Sequence, residues 1–122
     1  MKKNIVVVED SKTILEVLSF SLEKADYNIF TASSGTEALK YFDGREIDLM
    51  ITDLYMPEMD GIELVKKIKL IEKYNGIPIL FLTTESQQSK KLEAKKIGAT
   101  GWVIKPFVPE KLVQAINKLL KD

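Results

Sequence analysis

Asn4-Ile5-Val6-Val7-Val8-Glu9-Asp10 is the stretch that decides the fold. Its apolar run reads as a β-strand of the kind buried on both faces in a parallel sheet, and it stops at two adjacent acids. Leu49-Met50-Ile51-Thr52 repeats the pattern and stops at Asp53. In an open α/β sheet, ligands sit in the crevice beyond the carboxyl ends of the strands. Two strands of one sheet therefore deliver Glu9, Asp10 and Asp53 to a common rim. Clustered carboxylates repel one another, and burying one unpaired costs several kcal/mol. Such a cluster holds a hard cation, a reactive centre, or both.

Outward from these strands, strand-like and helix-like runs alternate. Residues 11–25 place Ile14, Leu15, Leu18 and Leu22 on one helical stripe, with Ser11 as cap. Residues 29–32 read as a short strand. Ser34-Gly35-Thr36-Glu37 has capping-box spacing and opens a helix carrying Ala38, Leu39 and Phe42. Residues 48–52 form the third strand. A helix over residues 61–74 follows, with Ile62, Leu64, Val65, Ile68 and Ile71 on its buried side. Residues 77–82 make a fully apolar fourth strand, and residues 86–97 a helix with few apolar anchors (Leu92, Ala94, Ile97). Gly101–Ile104 is the fifth strand, closed by Lys105-Pro106. Pro109 opens the last helix at its first position, with Leu112, Val113, Ile116, Leu119 and Leu120 inward. Five β-α units with short connections predict an α/β fold, a parallel sheet with helices on both faces joined by right-handed crossovers. No linker or repeat interrupts the pattern, so residues 1–122 are expected to form one domain.

Composition narrows the chemistry. The 122 residues carry 18 basic and 18 acidic side chains, so no whole-protein field draws the chain to nucleic acid or membrane. Hydrophobic content of 45% supports a real core and excludes disorder. Cysteine and histidine are absent, which removes disulfides, thiol nucleophiles, the usual zinc sites and imidazole base catalysis. A metal here must be oxygen-ligated, which favours Mg²⁺, Mn²⁺ or Ca²⁺. The apolar run after Met1-Lys2-Lys3 falls short of the roughly 7–15 residues of a signal peptide. No segment approaches the ~18 apolar residues of a membrane span. A cytoplasmic monomer with no DNA binding and no membrane insertion is expected.

The remaining strand ends complete the rim. The fourth supplies Thr83 and Thr84, the fifth Lys105. Singly, each residue has an ordinary use: Asp10 as a helix cap, Thr83 as a hydroxyl bonded to backbone, Lys105-Pro106 as a turn. Jointly, three carboxylates, a hydroxyl and an ammonium suit phosphoryl chemistry on a carboxylate. Mg²⁺ takes a few carboxylate oxygens and keeps waters, which leaves room for a phosphate oxygen. The cation and hydroxyl can hold the other oxygens, since phosphoryl transfer needs mainly positioning and charge neutralisation. Asp53 would then be the nucleophile that forms an aspartyl phosphate.

Val8-Glu9-Asp10, residues 53–61 (Asp-Leu-Tyr-Met-Pro-Glu-Met-Asp-Gly), Leu82-Thr83-Thr84 and Lys105-Pro106-Phe107 stand in the order and spacing of a known family. The chain resembles the receiver domain of two-component response regulators, especially stand-alone CheY-like proteins, over essentially its whole length. The resemblance implies a (βα)5 flavodoxin-like sandwich with strand order 2-1-3-4-5 and no output domain. It implies phosphorylation of Asp53 by a histidine kinase, with self-catalysed phosphoryl transfer and autodephosphorylation but no further enzymatic activity. Asp10, Asp53 and the Tyr55 backbone carbonyl would ligate Mg²⁺ (Mn²⁺ as an alternative), and Glu9 would act through water. Thr83 would move onto the phosphoryl group, Lys105 would pair with it, and the Lys105-Pro106 peptide would be cis. The signal would appear on the face of the fourth helix, fifth strand and fifth helix as an aromatic three residues before the lysine turns inward. Here that residue is Trp102, where Tyr or Phe is more usual.

Other departures concern the environment of the phosphoryl group. Glu9 stands where Asp is commoner. Thr84 follows Thr83 where Ala or Gly is usual, so its branched side chain should narrow access. Tyr55 and Glu85, each two residues beyond a rim residue, would tune the attacking water. Lys90, Lys91, Lys95 and Lys96 make the fourth helix locally basic, a docking site for an acidic partner or simply a solvated face. Downstream, a chemotaxis-type switch competes with a phosphorelay shuttle that passes the phosphoryl group to a histidine phosphotransferase. A haloacid-dehalogenase-type phosphatase would need a second Asp at position 55, where Tyr55 stands. A flavodoxin-like cofactor binder would need a Ser/Thr/Gly-rich phosphate loop in place of Glu9-Asp10.

Overall fold

β1 (Asn4–Val8) runs through the sheet interior, paired in parallel with β2 (Asn28–Ala32) on one side and β3 (Leu49–Thr52) on the other. β4 (Ile79–Thr83) and β5 (Gly101–Ile104) extend the sheet beyond β3, giving the order β2-β1-β3-β4-β5. The computed structural model describes residues 2–120; Met1, Lys121 and Asp122, counted above in the same domain, lie outside that span. The fold is the expected five-stranded parallel sandwich with helices on both faces.

Alternation along β1 explains why the strand reads as uniformly apolar. Successive side chains point to opposite faces of a sheet. Ile5 and Val7 pack with Leu18 and Leu22 of α1 (Lys12–Lys24) and Leu112 and Ile116 of α5 (Pro109–Leu119). Val6 and Val8 pack on the other face with Ala38 of α2 (Gly35–Leu39), Val65 and Ile68 of α3 (Gly61–Lys69) and Ala94 of α4 (Gln88–Lys96). Both faces are covered, so no residue of the run can be polar. Two caps are those the sequence announces: Ser11 accepts from the Ile14 N–H and Ser34 from the Glu37 N–H. Asp60 caps α3 in the same way, accepting from the Glu63 N–H. Glu37 returns its carboxylate to the Ser33 N–H at 3.1 Å, one residue before the cap.

Four boundaries differ from the sequence reading by two residues or more. α2 ends at Leu39, and Phe42 lies beyond it in a tighter turn that leads to Gly44 at φ +112°, a left-handed conformation suited to glycine. Phe42 is nevertheless buried, edge-on against Tyr74 at 4.9 Å. α3 stops at Lys69; Ile71 is extended and partly exposed, and a 3₁₀ turn (Glu72–Tyr74) turns Tyr74 inward in its place. β4 begins at Ile79, because Pro78 has no N–H to give the ladder. α4 begins at Gln88, and Leu92 points to solvent; Ala94 and Ile97 face the core beside Trp102.

Tyr74 fastens the irregular part of this layer. Its hydroxyl accepts from the Gly44 N–H and donates to the Arg45 carbonyl, each at 2.8 Å, and the residue is fully buried. Tyr74→Phe should therefore cost about 1.5 kcal/mol, the price of leaving a backbone N–H without its acceptor. Urea unfolding should show a lower midpoint at unchanged slope.

Candidate functional site

Hydrogen bonds of the sheet carry the rim residues to one place. The Glu9 N–H donates to Ala32 O, Asp53 N–H to Val8 O and Lys105 N–H to Thr83 O, so the ladder runs one residue past each strand. Glu9, Asp10 and Asp53 then bring one carboxylate oxygen each within 4.8 Å of one another. Asp10 is exposed, whereas Glu9 and Asp53 are buried. Ser11 rather than Asp10 caps α1, which leaves the Asp10 carboxylate at the cluster.

Lys105 reconciles the two buried acids. Its ammonium donates to Glu9 Oε1 at 2.6 Å and to Asp53 Oδ2 at 2.9 Å. The other Glu9 oxygen accepts from the Ser11 N–H at 3.0 Å. Asp53 Oδ1 accepts from the N–H groups of Leu54 at 2.7 Å and Tyr55 at 3.4 Å. Burial pushes the Glu9 carboxyl above its usual range, against the opposing pull of Lys105 and Ser11. Burial alone would lower the Lys105 ammonium; its bonds to Glu9 and Asp53 outweigh that and hold it above its usual range. Three carboxylates against one ammonium leave two negative charges, which a divalent cation would balance. The donors are all oxygens, as Mg²⁺ requires. The Lys105-Pro106 peptide is cis, as expected.

Gly61 lets the following loop close on Asp53. A Cβ there would stand 2.2 Å from the Asp53 carbonyl oxygen, and the Gly61 N–H donates to Leu54 O at 2.7 Å. The sequence reading starts a helix at Gly61 but does not show its close approach to Asp53.

Glu85 joins more of the site than its sequence position suggests. Its N–H donates to Thr83 Oγ1 at 3.3 Å, and its carbonyl accepts from the Trp102 indole N–H at 2.9 Å. Its carboxylate accepts from the Tyr55 hydroxyl and from the Gln87 N–H. The Tyr55 hydrogen bond comes first among the causes that lower the Glu85 carboxyl, and the same bond raises the phenol. Trp102 lies half-buried on Phe81, ring centroids 5.6 Å apart. The aromatic expected to turn inward is thus already anchored against the core. Thr84 is exposed and lines a cavity of about 410 Å³ beside Lys105, bounded also by Ile14 and Val17 of α1 and by Phe107 and Pro109.

Residues 5–117 match the model of the response regulator receiver domain. The chain belongs to that family. Receivers bind Mg²⁺ at an acidic pocket, accept a phosphoryl group from histidine kinases and act on downstream targets in two-component signalling. This receiver is 33% identical over 118 residues to chemotaxis protein CheY1 of Helicobacter pylori, covering 95% of each chain. It is 34% identical over 121 residues to the alkaline phosphatase synthesis transcriptional regulatory protein PhoP of Bacillus subtilis, but spans only 50% of that protein. The solved structure of chemotaxis protein CheY4 from Vibrio cholerae superposes with a TM-score of 0.94 at 40% identity, covering 98% of this receiver and all of that chain. No helix among the described residues is long and apolar enough to cross a membrane.

Proposed function

We propose that this receiver is a phosphorylation-driven switch. Mg²⁺-dependent phosphorylation of Asp53 by a histidine kinase alters the face formed by α4, β5 and α5, which then binds a downstream protein in a chemotaxis-type role. The carrying observation is Asp53 bonded to Lys105 at 2.9 Å beside Glu9 and Asp10. Asp10, Asp53 and the Tyr55 carbonyl would hold Mg²⁺, with Glu9 acting through a water. When bound, the ion neutralises charge on the transferring phosphoryl group. An Asp53 carboxylate oxygen attacks the phosphorus of a phosphohistidine; the new P–O bond forms as the P–N bond breaks, and the electron pair returns to the imidazole. Lys105 follows the phosphoryl oxygens, and the Thr83 hydroxyl turns to donate to one of them. That turn disturbs the Thr83–Glu85 contact, and through the Glu85 carbonyl it reaches Trp102. Beryllofluoride with Mg²⁺ should give a saturable change in Trp102 emission that Asp53→Ala abolishes. No change would remove Trp102 from the switch.

Dephosphorylation needs a water beside the acyl phosphate. Thr84, with the Tyr55–Glu85 bond, would screen it. Thr84→Ala should shorten the phosphate lifetime about threefold, equivalent to roughly 0.6 kcal/mol of barrier. A lifetime equal to wild type would end the steric account.

A second reading, a phosphorelay shuttle, draws on the apolar cavity beside Lys105, which would suit a partner helix approaching Asp53 along α1. Mixing labelled protein with a histidine phosphotransferase separates the two: the shuttle loses its label, the switch keeps it.

A further inference from the structure

The helices α3 and α4, with the 3₁₀ turn between them, are far from neutral. Residues 61–74 and 88–96 hold eight lysines against three glutamates in a chain with zero net charge. Lys73 pairs with Glu46 and Lys90 with Glu93, while Lys69 donates to the carbonyls of Asn75 and Ile77. Lys66, Lys67, Lys91, Lys95 and Lys96 make no ion pair among the described residues. The two helices are neighbours: Lys66 and Lys90 line one cleft between them together with Tyr55, Asp60, Glu63 and Glu93, and the Lys69 side chain lies against Gly98 just past the end of α4, so the positive excess lies towards the C-terminal turns of both helices.

Each helix also exposes a leucine beside its lysines. Leu70 is 86% exposed and Leu92 48% exposed. Positions three and four apart share a helix face. Leu70 therefore sits over Lys66 and Lys67, and Leu92 beneath Lys95 and Lys96. Lysines in a last helical turn also offset the helix dipole, which accounts for several of these charges but not for two outward leucines.

We propose that the outer surfaces of α3 and α4 form a docking face for an acidic amphipathic helix of a partner protein, its carboxylates on the free lysines and its apolar residues on Leu70 and Leu92. Leu70 and Leu92 beside the lysines are aliphatic, and Tyr55 in the cleft is held by Glu85, which suits a protein helix better than single-stranded nucleic acid, whose bases stack on free aromatic rings. This goes beyond the switch proposed above, because it adds α3 and does not require phosphorylation.

The test is fluorescence anisotropy of a labelled amphipathic peptide of Glu, Leu and Ala, against a twin in which Gln replaces Glu. The Glu peptide should bind about tenfold tighter and weaken as salt screens the lysines. Lys66→Gln with Lys67→Gln, Lys95→Gln with Lys96→Gln, and Leu70→Ser with Leu92→Ser should each weaken binding about fivefold. Lys24→Gln with Lys118→Gln, on the opposite face, should change it less than about twofold. All these positions are solvent-exposed, and a thermal melt of each variant confirms folding. Equal binding of the two peptides, an equal loss in the opposite-face variant, or tighter binding of a single-stranded RNA overturns the proposal. The Trp102 response to beryllofluoride, read in the same samples, fails or succeeds independently, so loss of the phosphorylation switch is told apart from loss of this face.

Discussion

Asp53→Asn should lose Mg²⁺-dependent phosphoryl incorporation from acetyl phosphate by at least about 100-fold, or roughly 2.7 kcal/mol of barrier. An amide oxygen is a poor nucleophile, and no neighbour can replace Asp53. Glu9 has one oxygen on Lys105 and the other on the Ser11 N–H. Asp10 is the exposed acid of the cluster and, among the described residues, has no pair of backbone donors like Leu54 and Tyr55 beneath it. Asn keeps the size of the side chain, and Lys105 keeps Glu9, so the fold should survive. Intact-mass spectrometry reads incorporation, and peptide mapping locates it. Label at wild-type level, or label moved to Asp10, would overturn the assignment of Asp53.

Lys105→Met should be the most destabilising change at the site. Glu9 is 2% exposed, and its strongest partner is the Lys105 ammonium. Removing one member of a buried pair leaves the other charge uncompensated, at a cost of about 3 kcal/mol. For a domain of this size that lowers Tm by about 10 °C. Two further readouts separate this electrostatic cause from lost packing. Without the ammonium the cluster carries a third uncompensated charge, so Mg²⁺ should raise the variant's Tm more than it raises the wild type's. The deficit should also shrink towards low pH. The Glu9 carboxyl is raised in the folded state, so it stabilises the fold when protonated, and that stabilisation is lost as pH rises through its folded value. Calorimetry in chelator and in Mg²⁺, across pH, checks all three. A Tm within about 2 °C of wild type would mean that water already solvates Glu9.

Much of this was legible in the chain itself. Runs such as Ile5–Val8 and residues 79–82 are apolar at every position because helices cover both sheet faces, so periodicity and punctuation alone named five β-α units. The boundaries that slipped lie where local pattern and tertiary packing compete. Ile71 and Leu92 fit a helical stripe, yet Tyr74 and Trp102 took the interior space beside them. Large rings held by hydrogen bonds to Gly44, Arg45 and Glu85 decide which neighbours turn outward.

The sheet, the acids at its rim and the residue types available for chemistry follow from the chain alone, because hydrophobic pattern marks strand ends and side-chain type is given. How the charges divide follows from contacts made in three dimensions. Lys105 reaches back across 96 residues to Glu9 and across 52 to Asp53, and Glu85 joins Tyr55, Thr83 and Trp102. Such contacts depend on distances between strands far apart in the chain, and no local pattern encodes them.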